Sequence, residues 1–311
     1  MIFIRKFDTT QDKAEATLVY PNTNYIVATD VVAIEATGAT HDYSQDYTTF
    51  NVTTAGTFKL YGNGIDYSTD NGQNWTSLAN NTDSPTIPAG TKVRLKRTHG
   101  NGATGRFITT AEFTVEGNAM SLVYGDNFTG QTSLNGKNSV FENLFSGCTG
   151  LTSAENFILP ATELAQSCYK NMFSNSNITA APALPATTLA TRCYQAMFQA
   201  CKSLTSEGLP ALPATTLAQQ CYDYMFDDCD AITTAPVLPA TSLVSGCYNN
   251  MLKNCELLSY VECYAESNLN SNNLSNWLQN VSSTGTFVKK SGITWPSGAS
   301  GIPTNWTVRN V

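Results

Sequence analysis

Charge is scarce in this chain. Only 13% of its 311 residues are Asp, Glu, Lys or Arg, and histidine occurs twice, at His41 and His99. The 17 basic and 24 acidic residues leave a formal charge of −7. That excludes a general nucleic-acid binder, which needs a basic face. No run of about 18 apolar residues occurs, so no membrane insertion is expected. Met1 is followed by IFIRKFDTTQDKAEA, where charge interrupts any apolar core, so no secretory signal peptide is read there. The P-loop, HExxH and GxSxG motifs are all missing. Neither histidine lies in a Cys or Ser context that suggests a nucleophile. The sequence therefore predicts no enzyme, no catalytic residue and no cofactor. There is no CxxC pair either, and with two histidines the nine cysteines do not read as metal ligands.

Repetition is what the chain has in abundance. LPATTLATRCYQAMFQACKSLT runs from Leu184 to Thr205, and it returns from Leu212 and again from Leu238. A looser copy starts at Leu159, and a half-copy, VFENLFSGCTGLT, at Val140. Val140, Cys168, Cys193, Cys221 and Cys247 are spaced 28, 25, 28 and 26 residues apart. A period in this range predicts a solenoid, in which each unit buries its apolar face only against its neighbours.

Within one unit, Leu189, Cys193, Met197 and Cys201 recur every four residues, with Tyr194 and Phe198 beside them. That stripe predicts a helix of about three turns, capped by Thr187 or Thr188 after Pro185. The following LTSEGLPALP is short and Pro-punctuated, which suits a brief strand and a turn. Helix then strand, with leucines at fixed places, is a leucine-rich-repeat plan. On this reading the cysteines are reduced, buried and stacked in ladders between repeats.

The CYxxMFxxCxxLTxAPxLPATTLA pattern resembles the BspA-like leucine-rich repeats of Bacteroides surface proteins and of phages of that group. The resemblance covers roughly residues 140 to 263. It departs from the pattern where the second cysteine is lost near Ser176 and where Leu252 replaces phenylalanine. It implies a non-enzymatic virion surface protein: a head fibre, decoration or tail appendage. Such a chain would be made in the host cytoplasm and carried on the particle. Its partners would be other virion proteins, a host surface glycan or protein, and further copies of itself. The alternative it implies is a Bacteroidetes cell-surface adhesin or glycan-binding accessory protein.

The expected class is α+β, in four parts. Residues 1–37 read as a small α/β docking module with strand, helix and strand. Residues 38–135 alternate like an all-β sandwich with Gly-Asn and Asn-Gly turns. Residues 136–263 are the α/β leucine-rich-repeat solenoid. Residues 264–311 are its C-terminal cap, with a helix expected around Asn272 to Val281 and then a strand.

Several residues are candidates for function. Thr152, Thr179, Thr205 and Thr233 recur on the strand side of the repeats and would offer a ladder of hydroxyls to a partner or glycan. Lys92, Arg94 and Lys96 alternate, so they share one strand face and would suit an acidic neighbour or a glycan. Ser68, Asp70, Gly72 and Trp75 resemble an Asp-box, with Asn74 in place of threonine, and physically read as a stapled hairpin turn. Asp223, Asp227 and Asp228 read as the solvated outer face of one repeat helix.

Overall fold

The computed structural model describes residues 41–97 and 104–311. The docking module expected over residues 1–37 lies outside the described residues. Alternating apolar side chains form β1 (Thr48–Thr54), β2 (Phe58–Tyr61), β3 (Ile65–Ser68), β4 (Thr76–Leu78), β5 (Lys92–Lys96), β6 (Arg106–Thr109) and β7 (Glu112–Asn118). The four-residue helix α1 (Ser121–Tyr124) follows, and then β8 (Leu151–Ile158). One sheet runs β4-β3-β5-β1-β7-β8, and β2 pairs with β6 in a separate ribbon. The two pack face to face through aromatic rings. Phe50 of β1 lies 5.9 Å from Phe58 of β2 and 5.0 Å from Phe107 of β6, ring centre to ring centre.

The repeats continue this body without a break. β8 pairs parallel to β7, across the boundary expected at residue 135. A side chain on Gly150, just before β8, would collide with the backbone of Ala111. Residues Asp42–Val311 form one unit.

The expected α+β class is overturned, and with it the α/β leucine-rich-repeat solenoid. The described residues are mostly β and turn. Besides α1, their α-helix is α2 (Ser271–Leu274), four residues long. The stripes expected to be helical are runs of tight turns. In the Cys193 unit, Gln195, Met197, Gln199 and Cys201 each donate an N–H three residues back, at 3.1–3.2 Å. The intervening Tyr194, Ala196, Phe198 and Ala200 donate instead to Cys221, Asp223, Met225 and Asp227 of the next coil, at 2.8–3.1 Å. An α-helix uses its N–H groups internally and has none to lend to a neighbour. Here alternate donors leave the coil, so adjacent coils are joined by backbone ladders.

This arrangement needs a left-handed residue every fourth position. Asn143 and Gly147, Asn171 and Asn175, Ala196 and Ala200, Tyr224 and Asp228, and Asn250 and Asn254 all have φ between 52° and 73°. Asparagine, aspartate and glycine tolerate that region best. The inward pair per turn, Cys193–Tyr194 and then Met197–Phe198, is at most 1% exposed. Each such burial contributes about 1.5–3 kcal/mol. The rings stack in columns. Phe141, Tyr169, Tyr194, Tyr222, Tyr248 and Trp277 follow at 5.5–6.1 Å. Phe107, Phe145, Phe173, Phe198 and Phe226 follow at 5.5–5.6 Å.

All nine cysteines are buried free thiols. Those at 148, 201, 229 and 255 donate to the carbonyls of Phe107, Phe173, Phe198 and Phe226 at 3.0–3.1 Å. The array also runs past its expected end. α2 is shorter than the expected helix over Asn272 to Val281, and Asn276 and Asn280 resume the left-handed rhythm beyond it. Trp277 then carries the ring column to Trp295 at 5.6 Å.

Candidate binding face

On the strand side of the coils, prolines decide where a sheet forms. Pro182, Pro185, Pro210, Pro213, Pro236 and Pro239 lack a donor. Pairing there shrinks to isolated bridges such as Thr188–Thr216 and Thr234–Tyr260. Three segments without proline in the last coils form a parallel sheet of β9 (Tyr260–Glu262), β10 (Thr286–Lys289) and β11 (Thr307–Asn310), in the order β11-β10-β9. In SYVECYAE the residues Val261, Cys263 and Ala265 are fully buried, and Tyr260, Glu262 and Tyr264 alternate outward.

The register makes this a two-dimensional patch. Tyr260 pairs with Thr286, and Thr286 with Thr307; Glu262 pairs with Val288, and Val288 with Arg309. Glu262 is held by two phenols. Tyr260 donates to its Oε2 at 3.4 Å, and Tyr264 donates to its Oε1. The Lys290 ammonium stands 4.9 Å over the Tyr264 ring. The bond to Glu262 raises the Tyr264 phenol above its ordinary pKa, and burial does the same for Tyr260. Both phenols therefore stay protonated donors at neutral pH. All four side chains are half-buried, and Thr234, Thr307 and Arg309 are exposed.

The four candidate threonines lie on this same side; the hydroxyls of Thr152, Thr179 and Thr233 are each hydrogen-bonded within the fold, while Thr179 and Thr233 stay exposed. Thr152 donates to the Phe113 carbonyl at 3.3 Å, and Thr179 donates to the Thr152 carbonyl at 3.2 Å. Thr233 shares a 3.0 Å hydrogen bond with Ser206. Thr205 opens the 3-10 turn Ser206–Gly208, which interrupts the row. The tyrosine–glutamate patch was hidden in the sequence where the repeat consensus stops. The period-two alternation of residues 260–265 was the available signal.

The basic strand is neutralised by residues distant in sequence. Lys92 pairs with Glu116 at 2.8 Å, Arg94 with Asp46 at 3.8 Å and Lys96 with Asp126 at 2.8 Å. Lys96 also sits 4.2 Å over the Trp75 ring. The Asp-box-like turn is a staple. Asp70 accepts the Asn74 N–H at 2.9 Å and the Ser68 hydroxyl at 2.7 Å, which with the Asn74 side chain holds its carboxyl at about 2. Asp223 and Asp227 are 5% and 7% exposed, which corrects the solvated-face expectation. They accept 2.8 Å bonds from Gln195 and Gln199 of the preceding coil.

A concavity of about 310 Å³ lies elsewhere, between Gln279–Ser283 and Gly298–Asn305. Amides and hydroxyls line it together with Leu278, Val281 and Pro303, without a charged or aromatic side chain. Among the described residues no group of three His, Cys, Asp or Glu could hold a metal ion, and no helix is long and apolar enough to cross a membrane. No family model, no curated protein and no solved structure matches this chain.

Proposed function

We propose that this chain is a non-enzymatic virion surface protein of a Bacteroides-infecting phage, serving as a head fibre, decoration or tail appendage. Residues 1–37 would make the assembly contact with other virion proteins or with further copies of the chain. The stacked coils would present a face for a host glycan or protein. The observation that carries this reading is the division of labour in the coils. Their interior is committed to stacked rings and buried thiols, and their polar chemistry is repeated outward on the strand side, ending in the Tyr260–Glu262–Tyr264 patch. A repeating polar face on a rigid stack suits multivalent contact better than turnover.

Mass spectrometry of purified virions tests the assignment. The chain should be present at structural copy number, and a variant lacking residues 1–37 should fold but fail to join particles. Its absence from virions together with exposure on bacterial cells would turn the reading into that of a cell-surface adhesin.

A further inference from the structure

We infer that Tyr260, Glu262 and Tyr264, with Lys290 and Arg309 at the rim, form a subsite for an uncharged oligosaccharide. This inference rests on the attachment reading and names the ligand class.

Three observations favour a neutral sugar. The first is the clasped carboxylate. Glu262 has one phenol donating to each oxygen, which fixes it and leaves each oxygen a second lone pair to accept a ligand hydroxyl. An acceptor-rich centre wants ring hydroxyls, and it would repel an acidic sugar laid across it. The second is the platform. Tyr260 and Tyr264 flank Glu262 on the outward side and their phenols converge on its carboxylate, so the two rings form one compact surface of the size of a sugar unit or two. Amphipathic rings that cover apolar sugar faces lose little conformational entropy on binding. The third is the surround. Thr234, Thr286 and Thr307 extend the Tyr260 row across three coils, so hydroxyl donors and acceptors flank the rings in register. Lys290 is already placed over the Tyr264 ring, and Arg309 extends from the edge strand as a donor at one end.

The concavity beside Gln279 and Asn305 offers amides without an aromatic platform. The Lys96–Trp75 pair has its cation engaged by Asp126. Neither presents an ordered acceptor between two rings.

Titration calorimetry on the full chain tests the subsite. The probes are neutral hexasaccharides of glucose, mannose and galactose, with hexagalacturonate as the acidic control. At least one neutral probe should bind, and the acidic one should bind more weakly. Tyr264→Ala and Glu262→Ala should each weaken binding by about tenfold or more. Tyr264→Phe keeps the ring and releases one oxygen of Glu262, so it should fall between wild type and Tyr264→Ala. Glu262→Gln serves if an alanine variant melts early. Failure of all neutral probes to bind would overturn the inference, as would preference for hexagalacturonate or binding unchanged in Glu262→Gln and Tyr264→Phe. Presence in virions without sugar binding would sink the subsite alone. Sugar binding through this face by a chain absent from virions would sink the virion assignment alone.

Discussion

The sheet region before residue 120 and the coils after residue 138 solve one problem in two ways. Both must pair every buried backbone N–H. In the sheet region the donors go sideways: β1 pairs with β5 on one flank and β7 on the other, and side chains alternate with period two. In the coils half of the donors turn back three residues and half reach the next coil, and the period is four. The inward residues of a coil imitate an amphipathic helix. The outward residues do not: every fourth is left-handed, and asparagine is the commonest residue at those places. An apolar stripe shows which side faces the core, and the residues opposite it show which backbone carries the stripe.

The largest test of this contrast is Phe198→Ala. Phe198 stacks at 5.6 Å on both Phe173 and Phe226, and its carbonyl accepts the Cys229 thiol. Its truncation should cost about 3–5 kcal/mol. Coils contact only their neighbours, so the damage should uncouple the two regions. Denaturation followed near Trp277 and Trp295 should then precede loss of the β1–β5 amide protection. A single coincident transition in the variant would show that the sheet and the coils are one cooperative block.

The sheet region was the more legible in sequence. GTFKLYGNGIDYSTDNGQNW alternates and turns where the strands alternate and turn, and the SxDxGxxW staple formed as its chemistry implies. The repeats were legible as stacked units with buried thiols, and their backbone was not. Cys193, Met197 and Cys201 keep a strict spacing of four. An α-helix would let that stripe drift by about 40° per step, and the drift goes uncorrected in every copy. Asn171, Asn175, Asn250 and Asn254 were a second signal, since asparagine is a weak helix former and tolerates φ > 0. The burial of Asp223 and Asp227 was not legible. It depends on Gln195 and Gln199, 28 residues earlier, lying against them. The tyrosine–glutamate patch stayed hidden because it and its neighbours Lys290 and Arg309 come from three successive coils that no shared motif joins.

The thiol columns give the next effect. Cys229 donates to a carbonyl of the preceding coil, and Ser176 already occupies the equivalent place in another coil. Cys229→Ser should therefore cost less than about 1 kcal/mol. Cys193 lies in the other column, where no thiol makes such a bond among the described residues. Cys193→Ser buries a hydroxyl without that partner and should cost about 1–3 kcal/mol. Equal losses by urea denaturation would remove the distinction between the columns. Thiol titration in denaturant should count all nine cysteines.

A smaller effect runs the other way. Ala200 is left-handed at φ 58°, where aligned coils carry Gly147, Asn175, Asp228 and Asn254. Ala200→Asn should stabilise by about 0.5–1 kcal/mol by relieving that strain. Gly147→Ala should cost a similar amount. A neutral result for both, measured as denaturant midpoints, would mean the left-handed rhythm does not select its residues.

The smallest effect separates the two regions by pH. In the coils, burial raises the carboxyls of Asp223 and Asp227 above their ordinary value, against the opposing amides of Gln195 and Gln199. The folded chain therefore binds more protons than the unfolded one between the ordinary and raised values. Their contribution is fully present below the ordinary value of 3.8 and is lost as pH rises through the raised ones. In the sheet region Asp70 behaves oppositely. The backbone and side-chain amides of Asn74 hold it at about 2, so its contribution is present above 3.8 and is lost as pH falls through 2. Acidification from neutrality to about pH 4 should thus raise protection of the coil amides slightly and leave the β1 and β5 amides unchanged. Replacing both aspartates, in the Asp223→Asn/Asp227→Asn double variant, should abolish the coil response. Hydrogen exchange corrected for its intrinsic pH dependence reads both regions in one sample. Coil protection that falls on acidification would mean that the buried pair is stabilised mainly as carboxylates by its amide donors, and that desolvation does not govern this column.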